Sequence, residues 1–308
     1  MGKYVVRRLL QMIPVLLGAT FLIFALVFYL PGDPLAGKCG ERPCSEAVAA
    51  RLRAEHNLDD PLLLRYGKYL GKLAQGDLGT NYYGIPVAED LGKRYTVTGK
   101  LALMALAFEG LIGIAAGVVA GIRKGRFIDS LVLVSSLMLI SIPVMVVGSV
   151  LQIVFGMRLG WFPITVSSQA TFYELLMPAF VLGATSIAYI ARLTRNSLVD
   201  NLRADYVRTA IAKGLSRRRA VGVHALRNSM IPVVTFMGYD LGALMGGAII
   251  TERIFNIQGV GGYIFTSIRS RDGIAVVGTV TALILVYLLM NLLVDLLYGV
   301  LDPRISHD

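Results

Sequence analysis

The chain has 308 residues, of which 55% are hydrophobic and 16% are charged. Soluble globular domains carry about 25% charged residues, so this composition excludes an ordinary soluble domain. A net charge of +10 suits nucleic-acid binding, but the basic residues lie between long apolar runs. That distribution is typical of a membrane protein and argues against a nucleic-acid partner.

Six apolar runs are long enough to cross a hydrocarbon core about 30 Å thick. The predicted spans are residues 9–30, 97–122, 130–156, 175–198, 232–251 and 274–301. Pro143 in the third span and Pro178 in the fourth predict a kink or an interruption at those points. The predicted fold class is an all-α polytopic membrane protein with six transmembrane helices, a structured cytoplasmic loop and an extracytoplasmic segment after the first span.

The positions of lysine and arginine predict that both termini are cytoplasmic. Basic residues gather in the N-terminal tail, in the short connection 123–126 and in residues 192–227. Short loops decide orientation, because long loops cross the membrane largely regardless of charge. The predicted division is an N-terminal tail with the first span (1–30), an extracytoplasmic segment (31–96), a five-helix transport core containing the cytoplasmic loop 200–231 (97–301) and a cytoplasmic tail (302–308).

The predicted extracytoplasmic segment contains both cysteines of the chain, Cys39 and Cys44. Disulfides form on the oxidising side of a membrane, so the pair predicts a short disulfide-closed loop. Two cysteines with no adjacent histidine make a poor metal site. We therefore predict no metal site in the chain.

Glycines recur at four-residue spacing in the second predicted span. Gly113, Gly117 and Gly121 share one helical face, which lets another backbone approach closely and predicts tight packing within the subunit. The acids Glu109 and Asp295 lie inside apolar runs. Acids in such positions face a cavity or a partner far more often than lipid.

A second glycine face occupies the fifth predicted span, where Gly238, Gly242 and Gly246 repeat the same spacing. Tyr239 and Asp240 lie beside these glycines. The face therefore predicts either a packing surface between subunits or part of a translocation path.

The polar stretch 205–232 lies between two apolar runs, yet its pattern is too regular for a slack connection. Tyr206, Ala210 and Ile211 are spaced for one helical face, and Gly214 suits the left-handed conformation that ends a helix. The pattern predicts a helix, a tight turn and a second helix that ends near Pro232.

The same stretch is strongly basic. Its basic residues are Arg203, Arg208, Lys213, Arg217, Arg218, Arg219 and Arg227. Charge alone is explained by the positive-inside rule. The regular amphipathic pattern is more than topology requires, and it predicts a docking element for another protein.

The sequence R-T-A-x-A-K-G-L (208–215), followed by H-A-L-R-N-x-x-I-P (224–232), resembles the cytoplasmic loop of ABC importer permeases in the dipeptide and oligopeptide branch. In that superfamily E-A-A, three residues and then glycine mark the coupling helix, which sits in a groove of the ATPase subunit. Arg208 holds the place of the glutamate, so that acid is absent here. The ERIF…GVGG (252–262) and LDPR (301–304) segments extend the resemblance to nearly the whole chain.

The resemblance implies an ATPase-coupling role for one group of residues. These are Tyr206, Arg208, Thr209, Ala210, Lys213, Gly214 and Leu215. It also implies a permease subunit of an ATP-driven importer of di- or oligopeptides, with nickel, glutathione or haem as other cargoes in the same family. The implied partners are a second homologous permease, two cytoplasmic ATPase subunits, an extracytoplasmic solute-binding protein and the lipid bilayer.

The sequence contains no G-x-x-x-x-G-K-[ST] phosphate-binding loop. We therefore expect that this chain is not an enzyme and binds no cofactor. ATP and Mg are expected to bind the partner ATPase subunits. An ion-coupled secondary transporter or channel, and a membrane sensor or scaffold without transport, stay open as alternatives. Copurification of an ATPase would separate them from the importer.

Overall fold

A computed structural model describes residues 2–29, 45–47, 50, 54, 57, 59–246 and 248–301. Within these ranges the regular structure is helical, and the extended pairing found there is an isolated bridge between Thr80 and Pro86. Cys39 and Cys44 lie outside the described residues, so the disulfide stays a prediction.

The helices are named in chain order. They are α1 (Gly2–Tyr29), α2 (Leu62–Leu73), α3 (Val87–Ile122), α4 (Phe127–Ser141), α5 (Val144–Arg158), α6 (Phe172–Leu202), α7 (Asp205–Ala212), α8 (Leu226–Met245), α9 (Ile249–Ile254), α10 (Val260–Arg269) and α11 (Gly273–Leu301). Three segments are wound more widely, as π-helix: Glu109–Gly113 in α3, Gln152–Arg158 in α5 and Ala220–Ala225 before α8.

Among the described residues, four helices are long and apolar enough to cross a membrane. They are Val5–Tyr29, Val87–Ile122, Phe172–Leu202 and Gly273–Leu296. The chain is therefore a multi-pass membrane protein. The predicted fifth span, 232–251, is not in this set, because α8 ends at Met245 and α9 begins only at Ile249. The six-span count stays a prediction.

The third predicted span is broken at Pro143, as the proline predicts. Helices α4 and α5 pass the span test together but meet at an angle of 100°. Ile142 is extended, with φ −93° and ψ 125°, because a proline disfavours the helical conformation of the preceding residue. Pro178, in contrast, lies inside α6, which continues unbroken.

Packing divides the chain into two compact units. The first comprises Met1–Gly99, Met245–Arg253 and Ile257–Asp308, and the second comprises Lys100–Leu244 and Ile254–Asn256. These units are defined by contacts between residues. They do not test the division into membrane and extramembrane segments that the sequence predicts, which stays a prediction.

In the first unit, α1 packs against α2 and α11, and α10 packs against α11. The hydroxyl of Tyr66 on α2 donates to the carbonyl of Leu17 at 2.9 Å. The hydroxyls of Tyr69 and Thr281 lie 2.6 Å apart and join α2 to α11. The short helix α2 is thus fixed against two apolar helices.

The Gly-Val-Gly-Gly sequence in the segment 252–272 predicts an extracytoplasmic loop with a tight turn, and the structure differs from that prediction. The segment contains α10, which begins at Val260 after an extended Gly259. A Cβ at Gly261 would lie 2.7 Å from the Cα of Ile249, so close packing explains this glycine. The Gly-Val-Gly-Gly sequence therefore starts a helix instead of forming a free turn.

In the second unit, the carboxyl-terminal half of α3 packs along α6. A Cβ at Gly117 would lie 2.5 Å from both the carbonyl oxygen of Ala191 and the Cβ of Thr194. Cβ atoms at Gly113 and Gly121 would also crowd α6. The close helix packing predicted from this glycine face is confirmed.

Candidate functional site

The site predicted from the sequence centres on α7, which follows α6 after a turn of two residues. Ala204 is extended, with φ −68° and ψ 147°, and lets the chain change direction before α7 begins. Asp205 lies in the first turn, where a negative charge is favoured by the helix dipole. Thr209 Oγ1 donates to the carbonyl of Asp205 at 2.9 Å and closes the first turn.

The end of α7 is a complete Schellman motif. The N–H of Gly214 donates to the carbonyl of Ile211 at 2.9 Å, and the N–H of Leu215 donates to that of Ala210 at 3.2 Å. Gly214 has φ +89°, the left-handed value predicted from its position. These bonds satisfy carbonyls that a helix end would otherwise leave open, so the turn is well defined.

The side chain of Val207 packs α7 against its own subunit, and the hydroxyl of Tyr206 donates to Asn201 Oδ1 of α6. Val207 is 2% exposed and packs with Leu198, Ala220 and Ala225. Leu198 belongs to α6, and Ala225 is the last residue of the π-turn that leads into α8. The packing of Val207 therefore connects α7 to the helices on both sides of the loop.

Unlike Val207, which was not predicted for coupling, most of the residues that were predicted for it face outward in this chain. Tyr206 and Ile211 are 40% and 47% exposed, although both carry large apolar side chains. Four further residues are exposed: Arg208, Thr209, Lys213 and Gly214. Ala210 and Leu215 are half-buried. The predicted face is thus an exposed apolar patch surrounded by polar and basic groups.

The basic residues of the loop are also exposed. All seven are open to solvent in this chain. Arg208 lies 3.7 Å from Asp205, but both side chains are largely exposed. An exposed pair at that distance contributes little, on the order of 0.5 kcal/mol. The cations therefore remain accessible to an acidic or polar partner.

A partly buried ion pair joins α4 to α6. Arg195 on α6 donates from Nε and Nη2 to the two carboxylate oxygens of Asp129 on α4, at 2.9 and 2.8 Å. The N–H of Gly125 donates to the same carboxylate at 2.8 Å. Such bidentate pairs set orientation as well as distance. Sequence reasoning missed this pair, because nothing local connects two residues 66 positions apart.

The glycine face of α8 is only partly enclosed. Gly242 is buried, Gly238 and Gly246 are half-buried, and Tyr239 is exposed. The Oδ2 atom of Asp240 is buried. These observations leave the roles predicted for this face, in a pathway or at a subunit interface, as predictions.

Two family models match the chain. The model described as "Binding-protein-dependent transport system inner membrane component" matches residues 113–307. Its companion for the N-terminal part of these membrane components matches residues 1–101.

Curated relatives match the chain over its whole length. The di/tripeptide transport system permease protein DppB of Pseudomonas aeruginosa is 38% identical over 336 residues, which cover 100% of this chain and 99% of the relative. The dipeptide transport system permease protein DppB of Escherichia coli is 36% identical over 337 residues, with the same coverage. The glutathione transport system permease protein GsiC of Salmonella paratyphi A is 37% identical over 308 residues, which cover both chains completely. The chain therefore belongs to the family of binding-protein-dependent transport system inner membrane components.

Proposed function

We propose that this chain is the membrane-spanning permease subunit of an ABC importer, and that residues 205–230 are the surface through which separate ATPase subunits drive it. Full-length similarity to permease subunits supports the first part. The second part rests on one observation: α7 is anchored through Val207 while Tyr206 and Ile211 stay exposed. Large exposed apolar side chains on a fixed helix indicate a surface that a partner covers.

The proposed cargo is a small peptide. The relatives are named as permeases for di/tripeptides, dipeptides and glutathione, and all of these solutes contain amide-linked amino acids. We propose cargo of the same chemical class for this chain. The ion-coupled alternative has no comparable support.

The proposed mechanism transmits motion from the ATPase to the membrane helices. ATP binding closes a pair of ATPase subunits, and the groove that holds α7 moves with them. Because Val207 packs against Leu198 of α6 and against Ala225 before α8, displacement of α7 pulls on both helices. ATP thus supplies the differential binding energy that shifts the permease between two states.

The proposed assembly contains a second homologous permease, two ATPase subunits and an extracytoplasmic solute-binding protein. The chain lies in the cell membrane with both termini in the cytoplasm. That orientation places the exposed basic loop on the ATPase side and agrees with the positive-inside rule. ATP and Mg bind the ATPase subunits, and this chain has no catalytic role of its own.

The test is Ala210→Glu, which puts a large charged side chain in the middle of the exposed face. We expect peptide uptake and ATPase copurification to be lost, while the melting temperature of the purified permease stays the same. Arg218→Ala removes an exposed cation outside that face and should leave uptake within about twofold, because exposed charges contribute little. Normal uptake and normal copurification by Ala210→Glu would refute the docking role.

A further inference from the structure

A cavity of about 170 Å³ lies in the first unit, between the last turns of α1, the helix α2 and the first turns of α11. The apolar span of α1 ends at Tyr29, and that of α11 begins at Gly273. Tyr29 is 79% exposed, and aromatic side chains of this kind are enriched where a span meets the lipid head groups. The cavity therefore lies at the depth of the head groups and not in the middle of the membrane.

The side of the cavity formed by α1 and α11 is apolar. Phe24 and Phe28 line it from α1, and Ile274 and Val277 line it from α11. Phe24 and Val277 are almost fully buried, and the ring centroids of Phe24 and Phe28 lie 4.8 Å apart. This wall offers carbon surface without a charged group, so it suits a hydrocarbon chain.

The side formed by α2 is basic. Arg65, Lys68 and Lys72 line the cavity from one face of this helix, which contains no acid. Arg65 is 8% exposed, and its guanidinium carbon lies 4.4 Å from the centroid of the Phe28 ring, at the border of the apolar wall. Lys68 pairs with Asp60 at 2.5 Å. Lys72 is exposed and belongs to none of the ion pairs found in the described part of the chain.

We propose that this cavity binds the phosphate of an anionic phospholipid, with the phosphate at Arg65 and Lys72 and the start of an acyl chain against Phe24 and Phe28. Guanidinium and ammonium groups are well suited to phosphate. Sites that enclose a whole small molecule measure roughly 300–1,000 Å³. A cavity of about 170 Å³ is smaller than that and fits a head group.

The surroundings of the cavity support a lipid as its occupant. Leu63 and Leu64 are 72% and 52% exposed on α2, a short helix whose charged residues are all basic. Helices that combine exposed leucines with lysine and arginine lie in the plane of the membrane interface. Lipid also reaches α1, because Leu22 and Leu26 are exposed within one turn of Phe24.

A small peptide fits the cavity less well. It carries an ammonium group as well as a carboxylate, and Asp77 is the single carboxylate among the described lining residues. The carboxylate of Asp77 already accepts from the N–H of Gly79 at 2.8 Å. The basic lining residues outnumber it three to one, which favours a ligand with a net negative charge.

The experiment is native mass spectrometry of the delipidated full-length chain in detergent, with phosphatidylglycerol as the probe. We expect one tightly bound lipid per chain, bound about fivefold more weakly by Lys72→Gln, which removes a cation that meets the phosphate. Lys72→Arg keeps the charge and should keep the affinity. Lys93→Gln is the matched control, since it removes an exposed cation of the same unit that pairs with Glu89 outside the cavity. It should bind the lipid as the wild type does.

The outcomes separate the proposal from its alternatives. Equal affinity of the wild type and Lys72→Gln would overturn the site, and so would an equal loss in Lys93→Gln, because net charge alone would then explain binding. Glycerol phosphate, a head group without acyl chains, should not displace the lipid; displacement at equal concentration would overturn the proposal in favour of a site for soluble anions. Displacement by a dipeptide would overturn it in favour of a cargo site. The measurement involves no ATPase, so its result is independent of the docking role proposed for α7.

Discussion

Gly117 and Gly214 are both glycines in the second unit, and they are required for opposite reasons. Gly117 has an ordinary helical backbone, but a Cβ there would lie 2.5 Å from the carbonyl oxygen of Ala191. Gly214 has no atom within 4 Å of its Cβ position, but its φ is +89°. The first position lacks space for a side chain, and the second has space but a backbone that side chains disfavour.

The difference separates what holds the subunit together from what shapes its exposed loop. Crowding at Gly117 must push α3 away from α6, and these helices form the most extensive contact of the unit. Strain at Gly214 stays in an exposed turn after α7. A larger side chain at Gly117 should therefore lower the yield of folded protein. A larger side chain at Gly214 should leave the protein folded and abolish only its coupling to the ATPase.

The largest effect is expected from Gly117→Val. Its branched side chain would overlap Ala191 and Thr194, and we expect a loss of about 3 kcal/mol of stability, the upper end for overpacking. The measurement is the yield of monodisperse permease from membranes, with its melting temperature. Gly18→Ala is the control, since a Cβ at Gly18 meets nothing within 4 Å. A wild-type yield of Gly117→Val would mean that the α3–α6 contact adapts freely.

Arg195→Met should have the next largest effect. It leaves the buried carboxylate of Asp129 without its bidentate partner, with only the N–H of Gly125 still donating to it. We expect a loss of about 2–3 kcal/mol, towards the lower end for buried pairs because Arg195 keeps some exposure. Thermal melting of the purified permease measures it, and Asp129→Asn combined with Arg195→Met should recover part of the loss. An unchanged melting temperature would show that the pair does not stabilise α4 on α6.

Gly214→Val should leave stability nearly intact but abolish uptake. A β-branched residue at positive φ costs on the order of 1–3 kcal/mol of local strain, which the turn relieves by reorienting α7. Gly214→Asn should keep much of the uptake, because asparagine tolerates the left-handed region. Gly222→Ala, in the same loop and with no atom within 4 Å, is the matched control. Equal uptake by the Val and Asn variants would show that the conformation of this turn is irrelevant to coupling.

The sequence predicted several local features correctly, but the helix that it predicted to end near Pro232 runs through that proline to Met245. The left-handed Gly214 follows from the chemistry of helix ends, and the break at Pro143 follows from the restriction that a proline places on the preceding residue, Ile142. The spacing of Gly113, Gly117 and Gly121 predicted close packing, because a repeat of four places residues on one helical face. Each of these signals lies within a few residues of the feature that it predicts.

Features that depend on distant residues were not predictable in this way. Periodicity identified an apolar face with Tyr206 and Ile211, but it could not show that Val207 is the residue that packs inward. The Asp129–Arg195 pair joins α4 to α6, and which helices become neighbours is decided by the tertiary fold. The angle of 100° between α4 and α5 likewise depends on packing on either side of the proline.

The most direct test of the coupling surface is site-specific photo-crosslinking in the assembled transporter. A photoreactive amino acid at Ile211, which is 47% exposed, should crosslink to the ATPase subunit. The same probe at Val207, which is 2% exposed and packed inside the permease, should give no such product. Crosslinking from Ile211 that requires the ATPase and is absent from Val207 is the predicted result. If Ile211 gives no ATPase product while a probe at Arg218 does, the exposed face of α7 is not the docking surface.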